Sequence, residues 1–368
     1  MEPINTFSTD EPSLSDVLKD IQKGDIQLPD FQRPWVWDDN HIRALVASVS
    51  QFYPIGAVML LEMGTDGAKF KPNRVEGVDV INDKPGWLIL DGQQRLTSLF
   101  LALKNTKPIR TQTEKGDEIK RFYYMDILKC LDEKEDRFDA VLSIPEDRKL
   151  KSDFNRKVDL DISDAEKEYA NKMFPLSIVF DNERFADWRR GFNKHYGYDA
   201  DAIKLFDAFE AQVVSVFRQY RIIVIELKQN TPKEAVCQVF EKVNTGGVAL
   251  TVFELMTAMY SAEEFNLKMD WTKRKEKFSE YGPIENLEPT DFLTSMALLV
   301  SYKGHLKGGL AVSCKRKDVL QLSKDDYVLN ADDLTRGIIN AAKLMGREKI
   351  FDSRNLPYQT QLIPLGAI

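Results

Sequence analysis

The sequence predicts an α+β protein with a mainly helical C-terminal lobe, and three observations predict it. A short apolar run, Trp87-Leu88-Ile89-Leu90, enters Asp91-Gly92 and then a stretch whose Leu96, Leu99, Phe100 and Leu103 share one face. That pattern reads as strand, tight turn and helix. The run Arg221-Ile222-Ile223-Val224-Ile225-Glu226-Leu227 is continuously apolar and β-branched in its centre, as a buried central strand requires. From Thr251 onward the periodicity is helical and polar-faced, without strand-like alternation.

Taken in order, the elements begin with a helix over residues 13–23, because Leu14, Val17, Leu18 and Ile21 recur at helical spacing and Gly24 follows as a stop. A short strand over 26–28 comes next. Pro29 and Pro34 hold Asp30-Phe31-Gln32-Arg33 extended, and Asp38 is the expected N-cap of a helix that buries Ile42, Leu45, Val46 and Val49 and ends before Pro54 and Gly56. Residues 57–62 read as a strand, as do 122–127. Residues 132–172 are dense in charge and poor in periodicity, which predicts an exposed insertion with short helices. Thr231-Pro232-Lys233-Glu234 reads as a capping box with proline at N1, opening a helix with Val236, Val239, Phe240 and Val243 inward and closed by Asn244-Thr245-Gly246-Gly247. Thr251 and Glu254 form a second capping box. The stretch 356–368 is too apolar for a frayed end, so a further C-terminal domain is expected beyond it.

With 368 residues the chain exceeds the usual single-domain size. The expected division is a sheet-bearing domain over 10–260, with its charged insertion at about 131–175, and a truncated helical domain over 261–368. A content of 43% hydrophobic and 30% charged residues excludes a disordered or fibrous chain. A net charge of -7 excludes a surface that is basic all over, so contact with nucleic acid must use a local patch, for which Lys303, Lys307 and Lys315-Arg316-Lys317 are candidates. Cys130, Cys237 and Cys314 lie far apart and form no metal-binding or disulfide framework, which fits a reducing compartment. The acidic, polar start carries no export signal, and no apolar run approaches a membrane span, so a cytoplasmic protein with no membrane contact is expected.

The chemistry concentrates at Asp91-Gly92-Gln93-Gln94-Arg95. A helix that starts directly after a buried strand presents backbone N–H groups and a partial positive charge, which suits a phosphate. Gly92 allows the backbone to approach a ligand closely. Gln93 and Gln94 add neutral donors and acceptors, and Arg95 adds a planar fork for bidentate phosphate contact. Asp91 can orient the arginine, hold Mg²⁺ through water, or position an attacking water. The competing account is an ordinary capping box between Asp91 and Gln94. No GxxxxGK[ST] loop and no GxGxxG turn accompanies the motif.

Four blocks in this order, Leu28-Pro29-Asp30-Phe31-Gln32-Arg33-Pro34-Trp35-Val36-Trp37, Pro54-Ile55-Gly56, Leu90 to Thr97 around the DGQQR run, and Phe240 to Thr251, resemble the GmrSD-type modification-dependent restriction endonuclease N-terminal family. The resemblance implies a ParB/sulfiredoxin-like mixed-sheet core and an NTP site with Mg²⁺, coupled to sensing modified DNA in a phage-defence system. Matched position by position, it implies Asp91, Gln94 and Arg95 as catalytic residues and Gln32, Arg33, Gly92, Gln93 and Asn244 as nucleotide-binding residues. Arginines from separate segments suit the charge that develops on a transferred phosphoryl group. For Asn244 a helix C-cap competes with the ligand role, and for Gln32 and Arg33 a solvated loop does. Trp35 and Trp37 read as packing residues before they read as base-stacking ones.

Family members carry an HNH-type nuclease domain or work beside a partner chain that does. Here His41, His195 and His305 are isolated, so no metal ligand set and no His-based nuclease site assembles from near neighbours. The expected function is an NTP-binding and NTP-hydrolysing sensor module whose nuclease lies elsewhere. The alternatives are a non-catalytic nucleotide- or DNA-binding regulator that uses the same loop as an anion clamp, and a ParB-like nuclease.

Overall fold

A computed structural model describes residues 7–32, 34–64, 70–153, 156–232, 235–236, 239, 251–309, 311–356 and 358–367. The chain forms two compact units, one of residues 1–63 with 72–228 and one of residues 64–71 with 229–368. This division falls upstream of the boundary near 260 that the motif blocks suggest.

In the first unit, six strands form a mixed sheet: β1 (Phe7–Asp10), β2 (Ile26–Pro29), β3 (Val58–Glu62), β4 (Pro72–Asn73), β5 (Trp87–Asp91) and β12 (Val224–Leu227), in spatial order β1-β12-β3-β5-β2-β4. β12 runs parallel to β3 and β2 parallel to β5, while the other pairs are antiparallel. The α+β class with a mixed sheet is therefore the observed one. β12 is shorter than the apolar run that announced it. Ile222 and Val224 are buried but Ile223 is 50% exposed, and the strand itself begins only at Val224. β1 escapes a reading by hydrophobicity altogether: it is an outer strand of an exposed Phe7 and three polar residues, held by pairing with β12.

Three helices share one core with this sheet. In α1 (Leu14–Lys23), Leu14, Val17, Leu18 and Ile21 are all buried, Ser13 Oγ accepts from the Asp16 N–H at 3.1 Å, and Gly24 closes the helix. Helix α2 (Asp39–Ser50) is capped by Asp38, whose Oδ1 accepts from the His41 N–H at 2.9 Å. The helix ends at Ser50, before Pro54 and Gly56. Phe52 takes the left-handed conformation with φ 61°, its N–H donates to Val49 O, and the Tyr53 N–H donates to Ser48 O. Helix α3 (Gln93–Lys104) buries Leu96 through Leu103 without interruption, so it sits inside the unit and not on its rim.

The charged segment after residue 131 is more ordered than an exposed insertion. Strand β7 (Glu118–Asp126) is flanked by β8 (Val141–Pro145) on one side and by β6 (Ile109–Gln112) and β11 (Met173–Pro175) on the other. Short helices α4 (Ile127–Leu131) and α5 (Arg137–Ala140) precede β8, and a hairpin of β9 (Lys149–Ser152) and β10 (Lys157–Asp161) follows it. Val141, Ile144, Ile162, Met173 and Phe174 are buried. Their apolar alternation runs over three to five residues between charged neighbours, too short for charge density to reveal it. Next, α6 (Ala165–Ala170) carries Glu168 inward: Oε1 accepts from Tyr124 Oη and Oε2 from Trp188 Nε1, each at 3.0 Å. Helices α7 (Asn182–His195), α8 (Ala200–Phe209) and α9 (Ser215–Gln219) complete the unit, with Phe206 stacked among Phe174, Phe185, Trp188 and Phe192.

The second unit is helical where described: α10 (Val252–Ser261), α11 (Leu267–Phe278), α12 (Pro289–Leu306), α13 (Arg316–Leu320), α14 (Lys324–Arg347) and α15 (Leu362–Ala367). The expected capping box at Thr251 and Glu254 is present. The buried Arg274 guanidinium is satisfied by Asp270, Asp332, Thr335 Oγ1 and the Ala331 carbonyl. Helix α15 packs on α12 and α14 with Leu362 and Ala367 buried, which accounts for the apolar character of its sequence. Lys233, Glu234 and residues 240–250, which include the expected helix closure, lie outside the described residues. No described helix is long and apolar enough to cross a membrane.

Two outcomes follow. Phe206→Ala removes a fully buried ring from the aromatic cluster and should cost about 3–5 kcal/mol in urea unfolding. Burial pushes the Glu168 carboxyl above its ordinary range, against the lowering effect of Trp188, Tyr124 and Arg148. A carboxyl raised on folding supports the fold below its ordinary value, and that support is lost as pH climbs through the raised value. Wild type should therefore lose stability relative to Glu168→Gln as pH rises above about 4 and through the raised value. A difference that stays constant with pH contradicts this.

Candidate functional site

The turn from β5 into α3 is built around Gly92. Its φ of 89° suits glycine, and a Cβ there would meet Val58 Cγ2 at 2.9 Å, so the close approach of β3 requires a bare backbone. Gly92 is also the N-cap, and α3 has no side-chain cap. The other long helices of this unit, α1, α2, α7 and α8, each have one. Such a cap contributes about 1 kcal/mol, and leaving it out keeps the first turn open to another acceptor.

The competing capping-box account fails on the side chains. Asp91 Oδ2 accepts from Arg95 Nη2 at 2.9 Å. Gln94 faces away along the helix: its Oε1 accepts from the Val36 N–H at 3.0 Å and its Nε2 donates to Pro34 O at 3.3 Å. Arg95 reaches a third segment, since Nη1 donates to Ile55 O at 2.7 Å. Gly56, with φ 86°, makes room for that contact, because a Cβ there would lie 2.6 Å from Nη1. Arg95 and Asp91 side chains remain 19% and 29% exposed, so the pair is anchored yet open to a ligand. Two guanidinium contacts leave further N–H donors on the fork.

Gln32 belongs to the same corner. Its Nε2 donates to Ile89 O at 2.6 Å and to Leu90 O at 3.3 Å, at the end of β5. Its Oε1 is buried without a hydrogen-bond partner among the described residues, which is costly unless something donates to it. Trp35 Nε1 donates to Ser98 Oγ at 3.0 Å, Val36 O accepts from Gln112 Nε2 at 2.7 Å, and Trp37 O accepts from Thr111 Oγ1 at 2.8 Å. Trp35 and Trp37 pack against the core of the unit, and the segment 34–37 is thereby fastened along α3 and β6.

The structure thus brings Gln32, Asp91, Gly92, Gln94 and Arg95 together, with Gln93 half-buried as the first residue of α3. Arg33 and Asn244 lie outside the described residues. Ile55, Gly56 and Ser98 are the parts that a reading by residue type missed, because two of them act through backbone. The glycine after Pro54-Ile55 was their only signal. Lys303, a candidate for a DNA-facing patch, is engaged by Asn330 Oδ1 at 2.7 Å and Asp333 Oδ2 at 3.4 Å. His41 Nδ1 lies 2.8 Å from Asp38 Oδ1 and His195 Nδ1 2.7 Å from Glu166 Oε2.

Comparison with known proteins bears on this corner. The model of the GmrSD restriction endonuclease N-terminal domain matches residues 14–261, a span that contains every residue named at the β5–α3 turn. The uncharacterized protein MJ0686 of Methanocaldococcus jannaschii is 26% identical over 363 residues, covering 94% of this chain and 56% of that protein. The chain therefore spans little more than half the length of that relative. With two-thirds of its length matched by the family model, the chain belongs to the GmrSD restriction endonuclease N-terminal domain family.

Proposed function

We propose that this chain is the nucleotide-binding and nucleotide-hydrolysing sensor module of a restriction or phage-defence system, with modified DNA as its signal and with DNA cleavage carried by an HNH-type nuclease domain or partner chain. The observation that carries the proposal is the uncapped N-terminus of α3 beside an anchored, partly exposed Asp91–Arg95 pair. Family membership supports the restriction context. A ParB/sulfiredoxin-like ancestry of the core is part of the same proposal.

In this reading the phosphates lie against the first turn of α3, where the helix dipole and backbone N–H groups favour negative charge. Arg95 offers the donors not used by Ile55 and Asp91. Hydrolysis forms a bond from a water oxygen to the γ-phosphorus and breaks the bond to the bridging oxygen, whose electron pair leaves with the diphosphate. The proton of the water passes to a phosphate oxygen while Asp91 holds the water in line. Mg²⁺, when bound, draws charge from the phosphate oxygens. Asp91 has one carboxylate oxygen beyond its contact with Arg95 with which to reach the ion or its water. Gln94 acts differently from the role that its motif suggests: it positions the 34–36 segment, and with it Gln32, through two backbone contacts. The unpartnered Gln32 Oε1 is placed to accept from a ligand hydroxyl.

A second reading has its own support. Arg95 is held by two acceptors and Asp91 by Arg95, a pairing that also suits a fixed anion clamp without turnover. Nucleotide turnover and titration with a non-hydrolysable NTP separate the two. For the hydrolytic reading, Asp91→Ala should lower turnover about 100-fold or more with affinity nearly kept, whereas Arg95→Ala should weaken both. Arg95→Lys should fail to restore either, since an ammonium cannot span Ile55 O and a phosphate. No turnover of any NTP by wild type, with or without modified DNA, overturns hydrolysis and leaves the clamp. A separate outcome concerns the loop: Gly56→Ala should displace Arg95 and weaken nucleotide binding roughly tenfold, with a stability loss of about 1 kcal/mol or more. Calorimetric titration with thermal unfolding checks both parts.

A further inference from the structure

The C-terminal half of α3 borders a cavity of about 350 Å³ that is separate from the Asp91–Arg95 corner and lined by Leu101 and Ala102 of that helix and by its C-cap, Asn105. Its mouth follows from the pairing of β7. On one edge β6 pairs residues 118–121 of β7 and β11 pairs 124–126, so Phe122 and Tyr123 have no strand partner there. The walls include the rings of Phe122, Tyr124 and Trp188, and Glu168 lies among them. The volume is at the small end of ligand pockets, which run from about 300 to about 1,000 Å³, and suits a single nucleotide unit.

Glu168 is the unusual group. Its side chain is 7% exposed, its described donors are the neutral Tyr124 Oη and Trp188 Nε1, and the Arg148 guanidinium stands at 3.7 Å. An ionised carboxylate has about four acceptor positions, so these two hydrogen bonds leave one on each oxygen. Arg148 is placed with equal care. Its backbone is left-handed at φ 56°, fixed by the Arg148 N–H donating to Pro145 O and by Arg148 O accepting from the Ile162 N–H. The side chain lies over the Phe122 ring at 4.7 Å. A strained residue held from both sides, with its charge at a cavity, is a pattern found where a ligand is bound.

We propose that this cavity is a guanine-binding pocket, a site beyond the nucleotide-hydrolysing function and independent of it. The two Glu168 oxygens, with one acceptor position left on each, match the N1–H and N2–H₂ donors on one edge of guanine. Adenine and cytosine present a ring acceptor beside their amino group, and uracil and thymine flank a single N–H with carbonyls, so each sets lone pairs against the carboxylate. Phe122 supplies ring surface for the base, and the Trp188 indole, itself stacked on Phe192, contributes to the wall beside it. Arg148 and Arg184, both lining the cavity, take the phosphate. The guanine comes either as a free nucleotide or as a base extruded from a DNA strand, the chemistry of the pocket being shared by both.

Calorimetric titration of the full chain tests this with GMP, AMP, CMP and UMP, and with DNA duplexes that carry one unpaired guanine, one unpaired adenine or none. The expected result is binding of GMP, or of the guanine-bulged duplex, at least roughly tenfold tighter than of the adenine counterpart. GMP binding assigns a free nucleotide as the source, and binding of the bulged duplex alone assigns an extruded base. Glu168→Gln should abolish the preference for guanine, because one of the two acceptors becomes a donor. Arg148→Ala, a change at a half-exposed residue, should weaken binding roughly tenfold and keeps the test open if the glutamine variant does not fold. Arg95→Ala should leave guanine binding intact, which separates this pocket from the first site. Equal affinity for guanine and adenine probes, binding unchanged in both Glu168→Gln and Arg148→Ala, or no binding of any probe overturns the proposal. So does guanine binding that is lost in Arg95→Ala and kept in Glu168→Gln.

Discussion

One guanidinium ties the candidate site together. Arg95 spans from Asp91, at the end of β5, to the Ile55 carbonyl in the connection between α2 and β3, so strand, helix and loop meet on a single planar group. A surface ion pair alone contributes only about 0–1 kcal/mol, so the arrangement depends on geometry more than on charge. That geometry requires glycine twice. Gly56 clears space for Nη1, and Gly92 lets β3 press against the turn. The register between β3 and β5 shifts between Met59 and Leu60, next to this turn, as happens where a sheet must re-aim a functional residue.

The motif residues divide into two kinds of work. Asp91 and Arg95 face outward enough to meet a ligand, whereas Gln94 has both amide atoms committed to Pro34 and Val36. A glutamine in that position is a clasp. It holds the extended segment whose Gln32 then reaches the carbonyls of Ile89 and Leu90 from below. Trp35 reinforces the clasp by bonding Ser98 one turn further along α3. Adjacent residues in one short motif thus take different positions: Arg95 partly open beside Asp91, and Gln94 fastening the segment alongside.

How much of this was legible in the sequence depended on which atoms carried the signal. The α1 cap and stop, the Asp38 and Thr251 caps and the strand-turn-helix unit were readable because side chains of specific types recur at fixed spacing. β1 and the strands between 131 and 175 were not, since their pairing is a backbone property and their apolar residues sit singly among charges. The turn that follows α2 was hidden for a related reason: Phe52 adopts a conformation that favours glycine, held by its own N–H bond to Val49 O, by ring contact with Tyr220 and by the Tyr53 carbonyl's bond to Tyr220 Oη. At the site, residue types revealed Asp91, Gly92 and Arg95. The Ile55 carbonyl could not be seen, because every residue has one.

Helix α3 makes the two ends of this unit parts of one mechanical object. Its twelve residues span about 18 Å, from the open N-terminus at Gly92 to the cavity wall at Leu101 and Ala102. Every residue from Leu96 to Leu103 is buried, so the helix cannot bend locally without disturbing close-packed neighbours on all sides. The turn at Gly92 and the cavity wall at Leu101 thus belong to one packed helix, although the two proposed sites bind their ligands through different residues. Coupling between two such sites is reciprocal by thermodynamic necessity. Coupling requires that one ligand favour one position of α3 over another, and a helix packed on every side from Leu96 to Leu103 offers few positions to choose between, which keeps the two sites independent.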